Sequence, residues 1–342
     1  MAKVKTIIED GLRADIIKAI NLAVKDAIVT EPMDIESIPS GSLFIDEITG
    51  IGGYPLGRIT EIFGGESAGK STLCLTLCAN AQKMDIVPVY IDVENSIDFT
   101  YAAQLGVDVN KWILTQPDDA ESAFRIAEAA AENGAKLIIL DSVGALVAKR
   151  ETESESDIGD NQIGLIPKLI SKFVRRFSPL QRKHNCALVL INQRRAKIGA
   201  MPGTSTEDTP GGMALKHAYT TRMKITRTGK DTGDEPDYIT SKVDIVKNKV
   251  APPYGKDTIR IRFGTGIDLW YEIITIGVEN KIIKKSGSWY KFGDENIGQG
   301  DNCIDWLKNN KDVVKTIITS SNNKNADFYI NKLFGETRKM QK

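Results

Sequence analysis

Residues 58–71 read RITEIFGGESAGKS, an apolar run that stops at a glycine-rich loop closed by Lys-Ser. The loop itself, GGESAGKS (64–71), matches G-x-x-x-x-G-K-[ST]. The next stretch, TLCLTLCANAQK (72–83), reads as a helix. Strand, loop and helix in that order are the context in which this motif binds phosphate. Gly64, Gly65 and Gly69 let the backbone curl so that successive N–H groups point at phosphate oxygens. Glu66, Ser67 and Ala68 complete the loop, and Thr72 extends the nucleotide-binding set. Lys70 is placed to reach β- and γ-phosphates, and the Ser71 hydroxyl to meet Mg²⁺. A simple glycine turn is the competing reading, and the strand and helix on either side count against it.

Outward from this loop, strand-like runs alternate with helical patterns. The runs are VPVYIDV (87–93), KLIILDS (136–142) and CALVLINQ (186–193). Helical patterns cover Lys70 to Lys83 and the Ala/Glu-rich stretch 119–133. This order predicts an α/β fold with a mostly parallel sheet and helices on both faces. LIILDS ends its strand in Asp141, the second carboxylate a phosphate-loop nucleotidase uses to hold Mg²⁺. Asp92 and Glu94 are two apart in YIDVE, which predicts one shared strand face near the phosphates. Glu94 is the candidate to orient an attacking water, and a solvated carboxylate at a strand end is its plain alternative. After Gly212 the runs RMKITRT (222–228), SKVDIVKN (241–248) and DTIRIRF (257–263) read as antiparallel additions. From about Ile267 onward the chain reads as a small α/β appendage. Ahead of the sheet, residues 10–29 put Leu12, Ile16, Ile20, Ala23 and Ala27 on one helical stripe that Glu31-Pro32 ends. That stripe needs a partner, either its own core or a neighbouring subunit.

The chain has 342 residues, 41% hydrophobic and 26% charged, which excludes wholesale disorder and a fibre. Its longest apolar runs fall far short of the ~20 residues of a membrane span, so no membrane partner is expected. The N-terminus lacks the apolar stretch of a signal peptide. Cys74, Cys78, Cys186 and Cys303 are too scattered for a disulfide scaffold or zinc site, so a reduced, cytoplasmic protein is expected. Cys74 and Cys78, four apart on the helix after the loop, should face the core. His184 and His217 have no partner at metal-ligand spacing, so no metal beyond Mg²⁺ is assigned. The 45 Lys and Arg balance 45 Asp and Glu. Yet Asn161 to Thr206 holds no acid and carries Lys168, Lys172, Arg175, Arg176, Arg182, Lys183, Arg194, Arg195 and Lys197. Just before it, Glu151, Glu153, Glu155, Asp157 and Asp160 form an acidic run. The basic stretch fits a polyanion groove or a solvated helix face, and charge alone does not separate them.

The motifs GGESAGKS, YIDVENSIDFTYAAQLGVD, ILDSVGALVAK, IGDNQIG, LINQRRAKIG, GGMALKHA and VKNKVAPP, in this order, resemble the RecA family of bacterial DNA recombinases. The likeness runs from about Ser40 to about Asn302 and implies a RecA-like phosphate-loop ATPase core. With it come an N-terminal oligomerisation helix (1–32), a core carrying the DNA-binding loops (33–267) and a small C-terminal domain (268–342). The resemblance implies an ATP-dependent enzyme that forms a helical homo-oligomeric filament on single-stranded DNA. Such an enzyme pairs that strand with double-stranded DNA and exchanges strands.

Individual residues inherit expectations from the resemblance. Tyr101 and Asp98 match adenine-contacting positions. Gln193 matches the γ-phosphate sensor that couples ATP to DNA. Lys247 and Lys249 match lysines that reach the ATP of the adjacent subunit. IGDNQIG and Arg194–Gly212 match two DNA-binding loops, and the second is also too long and aperiodic to be a mere connector. Arg194, Arg195 and Lys197 are suited to phosphates, Ile163 and Ile198 to wedging between bases. Gly211 and Gly212 close the loop, and Lys168 and Arg175 match backbone contacts on the following helix. A ring-forming helicase would share the phosphate loop, but not the VKNK, IGDNQIG and GGMALKHA sets together.

The sequence also departs from the family pattern. Pro202 stands where an aromatic is common. His217 replaces an aromatic at a subunit contact, either as a pH-sensitive group or a neutral packing one. Asp244 sits near Lys242 where a second basic residue is usual. Lys281, Lys284, Lys285, Lys291, Trp289 and Tyr290 form either a duplex-capturing surface or a structural Trp/Tyr core.

Overall fold

The apolar runs form strands because the fold buries them on both faces, and the computed structural model shows how. It describes residues 14–20, 22–23, 34–150, 164–196, 207–230, 237–321 and 323–335. Contacts divide the chain into Met1–Ile35 and Glu36–Lys342. In the first unit residues 14–20 and 22–23 are helical, with Ile16, Ile20 and Leu22 exposed. The rest of the expected stripe, Leu12 and Ala27, lies outside the described residues.

In the second unit β1 (Ser37–Ile38), α1 (Leu43–Thr49) and β2 (Tyr54–Pro55) lead into β3 (Ile59–Gly64) and α2 (Lys70–Gln82). Then come β4 (Pro88–Asp92), α3 (Phe99–Gln104), β5 (Ile113–Thr115), α4 (Ala120–Glu132), β6 (Leu137–Asp141), α5 (Leu165–His184) and β7 (Ala187–Gln193). A short ribbon, β8 (Arg195–Ala196) with β9 (Glu207–Asp208), precedes α6 (Gly212–Ala218). The sheet continues with β10 (Thr221–Lys230), β11 (Tyr238–Asn248), β12 (Lys256–Arg262) and β13 (Gly266–Ile267). The C-terminal part holds α7 (Leu269–Glu279), β14 (Lys284–Ser286), β15 (Trp289–Phe292), β16 (Glu295–Gln299), α8 (Cys303–Asn309), α9 (Lys311–Ser320) and α10 (Ala326–Phe334).

The large sheet runs β13-β12-β11-β10-β3-β7-β6-β4-β5. From β10 to β5 all neighbours are parallel, whereas β11, β12 and β13 add antiparallel. RMKITRT is therefore not a purely antiparallel addition, because β10 joins β3 in parallel and only its other edge is antiparallel. Successive residues alternate between two cores. Leu137 and Ile139 face one core with α2, while Ile138 and Leu140 face the other with α4 and α5. Covering both faces is what lets these strands be continuously apolar. Cys74 and Cys78 are fully buried in the first core. In the second core Phe124 of α4 stacks on Phe173 of α5 at 4.4 Å. That packing turns Lys168, Lys172, Arg175 and Arg182 outward, all of them exposed. Among the described residues no helix is long and apolar enough to cross a membrane.

A buried polar cluster ties α10 to the start of the core. Asp46 of α1 accepts from the Ser40 N–H (2.9 Å) and the Tyr329 hydroxyl (2.6 Å). Glu272 of α7 accepts from the Ser42 hydroxyl and the Leu43 N–H, both at 2.6 Å. Burial pushes Asp46 up to about 7 and Glu272 up to about 8. The unfolded chain releases these protons near pH 4, so the fold binds more protons between there and 7–8. The stability the two groups contribute is thus complete at acid pH and is lost as pH rises through those values. Lys332, pushed down to about 8 by burial, acts in the opposite sense and only above that pH. The urea midpoint is expected to fall from about pH 5 to about pH 8, and Asp46→Asn should flatten the fall. A variant with the wild-type slope would show that Asp46 ionises normally in the fold.

Candidate functional site

β3 ends where the glycine loop begins. A Cβ on Gly64 would sit 2.0 Å from the Ile225 carbonyl oxygen of β10, so only glycine fits beside that strand. Gly69 caps α2 at φ 95°, and a Cβ there would meet Ile261 at 2.2 Å. Gly65 differs from expectation: no atom lies within 4 Å of its Cβ position, so the chain's own packing does not demand glycine there. Ser67 takes the left-handed conformation instead, at φ 52°.

The functional side chains converge on this loop. The Lys70 ammonium donates to the carbonyls of Gly65 (2.7 Å) and Gly64 (3.3 Å). Burial lowers its pKa, opposed by the nearby Asp141, Glu94 and Glu66 carboxylates. The Ser71 hydroxyl donates to Asp141 Oδ2 at 3.0 Å, and the Tyr90 hydroxyl donates to the same oxygen at 2.7 Å. Burial raises Asp141 to about 6, with those two hydrogen bonds restraining the rise. Glu94 Oε1 accepts from the Ser142 hydroxyl and from Gln193 Nε2 at 3.2 Å. Lys70, Ser71, Glu94, Asp141 and Gln193 line one cavity of about 320 Å³ with Glu66 and Ser67. Ser142 was not singled out from sequence; its only signal was its place one residue past Asp141.

Asp92 and Glu94 do not share a strand face. β4 stops at Asp92: the Val93 N–H makes the last ladder bond to the Asp141 carbonyl of β6 (2.7 Å), and the chain then bends at residues 93–94. Asp92 is buried, where its Oδ2 accepts from the Ile97 N–H and Gln116 Nε2, both at 3.1 Å. Glu94 lies beyond the strand at the cavity.

Ser71 also borders a second cavity of about 380 Å³ lined by Asp98, Thr100, Tyr101 and Gln104. Asp98 caps α3, its Oδ1 accepting from the Thr100 N–H (2.7 Å) and the Tyr101 N–H (3.3 Å). The Tyr101 and Thr72 hydroxyls share a hydrogen bond of 2.9 Å. The turn after β12 approaches the same place. Gly264 lies beside Gln104, and Phe263 is 56% exposed. Sequence reading missed that turn, since Phe263 looks like the end of an ordinary strand.

Lys247 and Lys249 are not brought to this cavity. Lys247 donates to the Lys216 carbonyl (2.6 Å) and Lys249 to the His217 carbonyl (2.9 Å), at the C-terminal end of α6. Burial, with Lys249 and Arg222 nearby, lowers the pKa of Lys247. Lys247 pairs in register with Arg222, and Arg222 with Glu61, three residues short of Gly64. At about 3.3 Å per residue, that places Lys247 some ~10 Å back from the start of the phosphate loop.

Of the expected DNA-contacting residues, Ile163, Lys197 and Ile198 lie outside the described residues. Arg194 is exposed, and the Arg195 backbone pairs with Asp208 across the ribbon. Gly211 caps α6 at φ 112°, where a Cβ would meet Leu215 at 2.5 Å. Gly212 has φ 73° and lies beside Pro167 of α5. Arg176 pairs with Glu128 at 2.6 Å, so part of the basic helix face is neutralised from α4. Lys242 pairs with Asp244 at 2.8 Å. In the C-terminal hairpin Lys284 lies directly across from Lys291, and Ser286 across from Trp289. Trp289 is 48% exposed while Tyr290 packs on the core, so the pair divides between surface and interior.

Fold and site together define a phosphate-loop nucleotidase whose sheet is extended by an antiparallel edge. The family model for the RecA N-terminal domain matches residues 19–268, and that for the RecA C-terminal domain matches 271–324. The chain is 41% identical over 289 residues to Protein RecA of Thermus aquaticus, covering 83% of this chain and 84% of that one. It is 43% identical over 292 residues to Protein RecA of Haemophilus ducreyi (84% and 77% covered). With Protein RecA of Treponema denticola the figure is 44% over 289 residues (83% and 69%). The chain belongs to the RecA family. It is accordingly a DNA-dependent ATPase and recombinase that forms filaments on single-stranded DNA, pairs it with homologous duplex and exchanges strands.

Proposed function

We propose that the cavity around Lys70 is the ATP site of this recombinase and that it is complete only when Lys247 and Lys249 of the partner subunit close over it. The observation that carries this reading is a convergence and a gap. Lys70, Ser71, Asp141, Glu94 and Gln193 share one cavity, while Lys247 near the end of β11 and Lys249 just after it sit at the wrong end of the same sheet to reach it. Lys70 is the phosphate-facing cation, with loop residues 64–69 and Thr72 around the phosphates. Ser71 and Asp141 fit Mg²⁺, because two hard oxygen donors converge at 3.0 Å. When bound, that ion would neutralise phosphate charge. Glu94, held by Ser142 and Gln193, accepts the proton of the attacking water. Tyr101 and Asp98 take the base in the second cavity. Lys247 and Lys249 supply positive charge from the neighbouring copy.

Lys168, Arg175, Arg194, Arg195 and Lys197 hold the DNA backbone, Ile163 and Ile198 enter between bases, and Gly211 and Gly212 end the loop. The exposed Lys284, Trp289 and Lys291 face is assigned to the duplex. Two like charges directly across a hairpin destabilise it unless an anion sits between them. Segment 1–32 is assigned to contact between copies, 33–267 to nucleotide and DNA, and 268–342 to a small C-terminal domain. A cytoplasmic location is supported by four free, buried cysteines.

Arg195→Ala tests the loop assignment. Single-strand affinity should fall, and its log–log salt slope should drop by about one unit. Binding measured across a salt series that returns the wild-type slope would remove Arg195 from the DNA path.

A further inference from the structure

Between the nucleotide cavity and the second DNA loop runs a buried polar chain that neither site uses directly. Asn192 of β7, the residue before Gln193, is fully buried. Its Oδ1 accepts from the Gln193 backbone N–H at 3.0 Å. Its Nδ2 donates to Glu61 Oε1 and to the Pro210 carbonyl, both at 2.9 Å. Glu61 is also fully buried and is paired with the Arg222 guanidinium. Arg222 in turn donates to the Thr209 hydroxyl at 3.2 Å, with its guanidinium over the Phe63 and Tyr219 rings.

Thr209 and Pro210 are where the chain returns from the second loop. Pairing of Arg195 with Asp208 and Ala196 with Glu207 draws the two ends of that loop together. One end is thus continuous with Gln193, and the other is held by two side chains that both meet at Glu61. The chemistry is specific to an amide. Asn192 accepts at one end and donates at the other, which neither Asp nor Leu would do at this position. A buried ion pair is weak evidence for stability, because an apolar pair of similar volume often serves as well. Its place between two sites gives it another use, since a fully satisfied polar network holds one geometry.

We propose that Asn192, backed by the Glu61–Arg222 pair, is the positioning relay that passes the state of Gln193 to the second DNA loop. A shift of Gln193 against nucleotide moves the end of β7, and the Asn192 amide carries Pro210 and Thr209 with it. The proposal rests on reading Gln193 as the nucleotide-sensing residue and 194–212 as a DNA loop.

The test compares single-strand affinity with a non-hydrolysable ATP analogue and with ADP, in wild type, Asn192→Asp and Gln193→Ala. Asn192→Asp sets a carboxylate against Glu61 and the Pro210 carbonyl and keeps the shape. The analogue-to-ADP affinity ratio should shrink by about 5-fold or more, with affinity for the nucleotide itself unchanged. A residue that is merely structural would lower both DNA affinities together and leave the ratio alone. If the thermal midpoint shows that Asn192→Asp does not fold, Thr209→Val replaces it, removing only the hydroxyl that Arg222 contacts. A wild-type ratio in the folded relay variant, with the ratio lost in Gln193→Ala, overturns the relay and leaves the sensor reading standing. A wild-type ratio in Gln193→Ala overturns the sensor reading and the relay with it.

Discussion

Lys70→Ala is expected to abolish ATP turnover, with or without single-stranded DNA, by about 10²-fold or more. The Lys70 ammonium is held at the mouth of the loop by the Gly65 and Gly64 carbonyls. Those carbonyl acceptors are neutral and easily exchanged for anionic phosphate oxygens, whereas among the described residues lining the cavity no other cation replaces the charge. Asp141, Glu94 and Glu66 are carboxylates that act on Lys70 across the cavity. Removing Lys70 therefore leaves developing phosphate charge facing carboxylates, which loses attraction and adds repulsion. Steady-state hydrolysis measures the effect. Turnover within a few-fold of wild type would mean that the glycine loop does not hold the reacting phosphates.

Lys249→Ala is expected to lower DNA-stimulated hydrolysis by about 10³-fold or more, the scale of a transition-state cation supplied in trans. Nucleotide binding by the free monomer should be unchanged. Both halves follow from position. Lys249 contacts the C-terminal end of α6, where helix carbonyls favour a cation, and is exposed for contact with another copy. Lys247 lies partly buried beside it, bonded to the same helix end. Equilibrium binding of a fluorescent ATP analogue without DNA, read beside hydrolysis with DNA, separates the two halves. A monomer that loses nucleotide with this substitution would place Lys249 in its own subunit's site.

The central strands were legible because burial on both faces leaves continuous apolar runs, and each predicted run appears within a residue or two. The partner of β10 was not, since alternation along RMKITRT reports two unlike faces and nothing about direction. Asp92 and Glu94 were misplaced because a two-residue period holds only while the strand lasts. Here the ladder with β6 ends at the Val93 N–H bond to the Asp141 carbonyl, and the chain bends at residues 93–94. Lys70, Ser71 and Asp141 could be named from pattern, as loop and strand-end chemistry constrain them. Ser142 and Asn192 could not: their roles come from partners far away in sequence, Glu94 for Ser142, and Glu61 and Pro210 for Asn192. The remoteness of Lys247 from the cavity is a property of sheet register, which only the fold supplies.

The most direct test of a shared site is a mixture. Lys70→Ala and Lys249→Ala chains, each inactive alone, are combined in equal amounts on single-stranded DNA and assayed for ATP hydrolysis. In a head-to-tail filament of random order, about a quarter of junctions would join an intact phosphate loop to an intact Lys249. Recovery toward that fraction of wild-type turnover is the predicted result. A mixture that, in filaments visible by electron microscopy, remains as inactive as its components would contradict a site built from two copies.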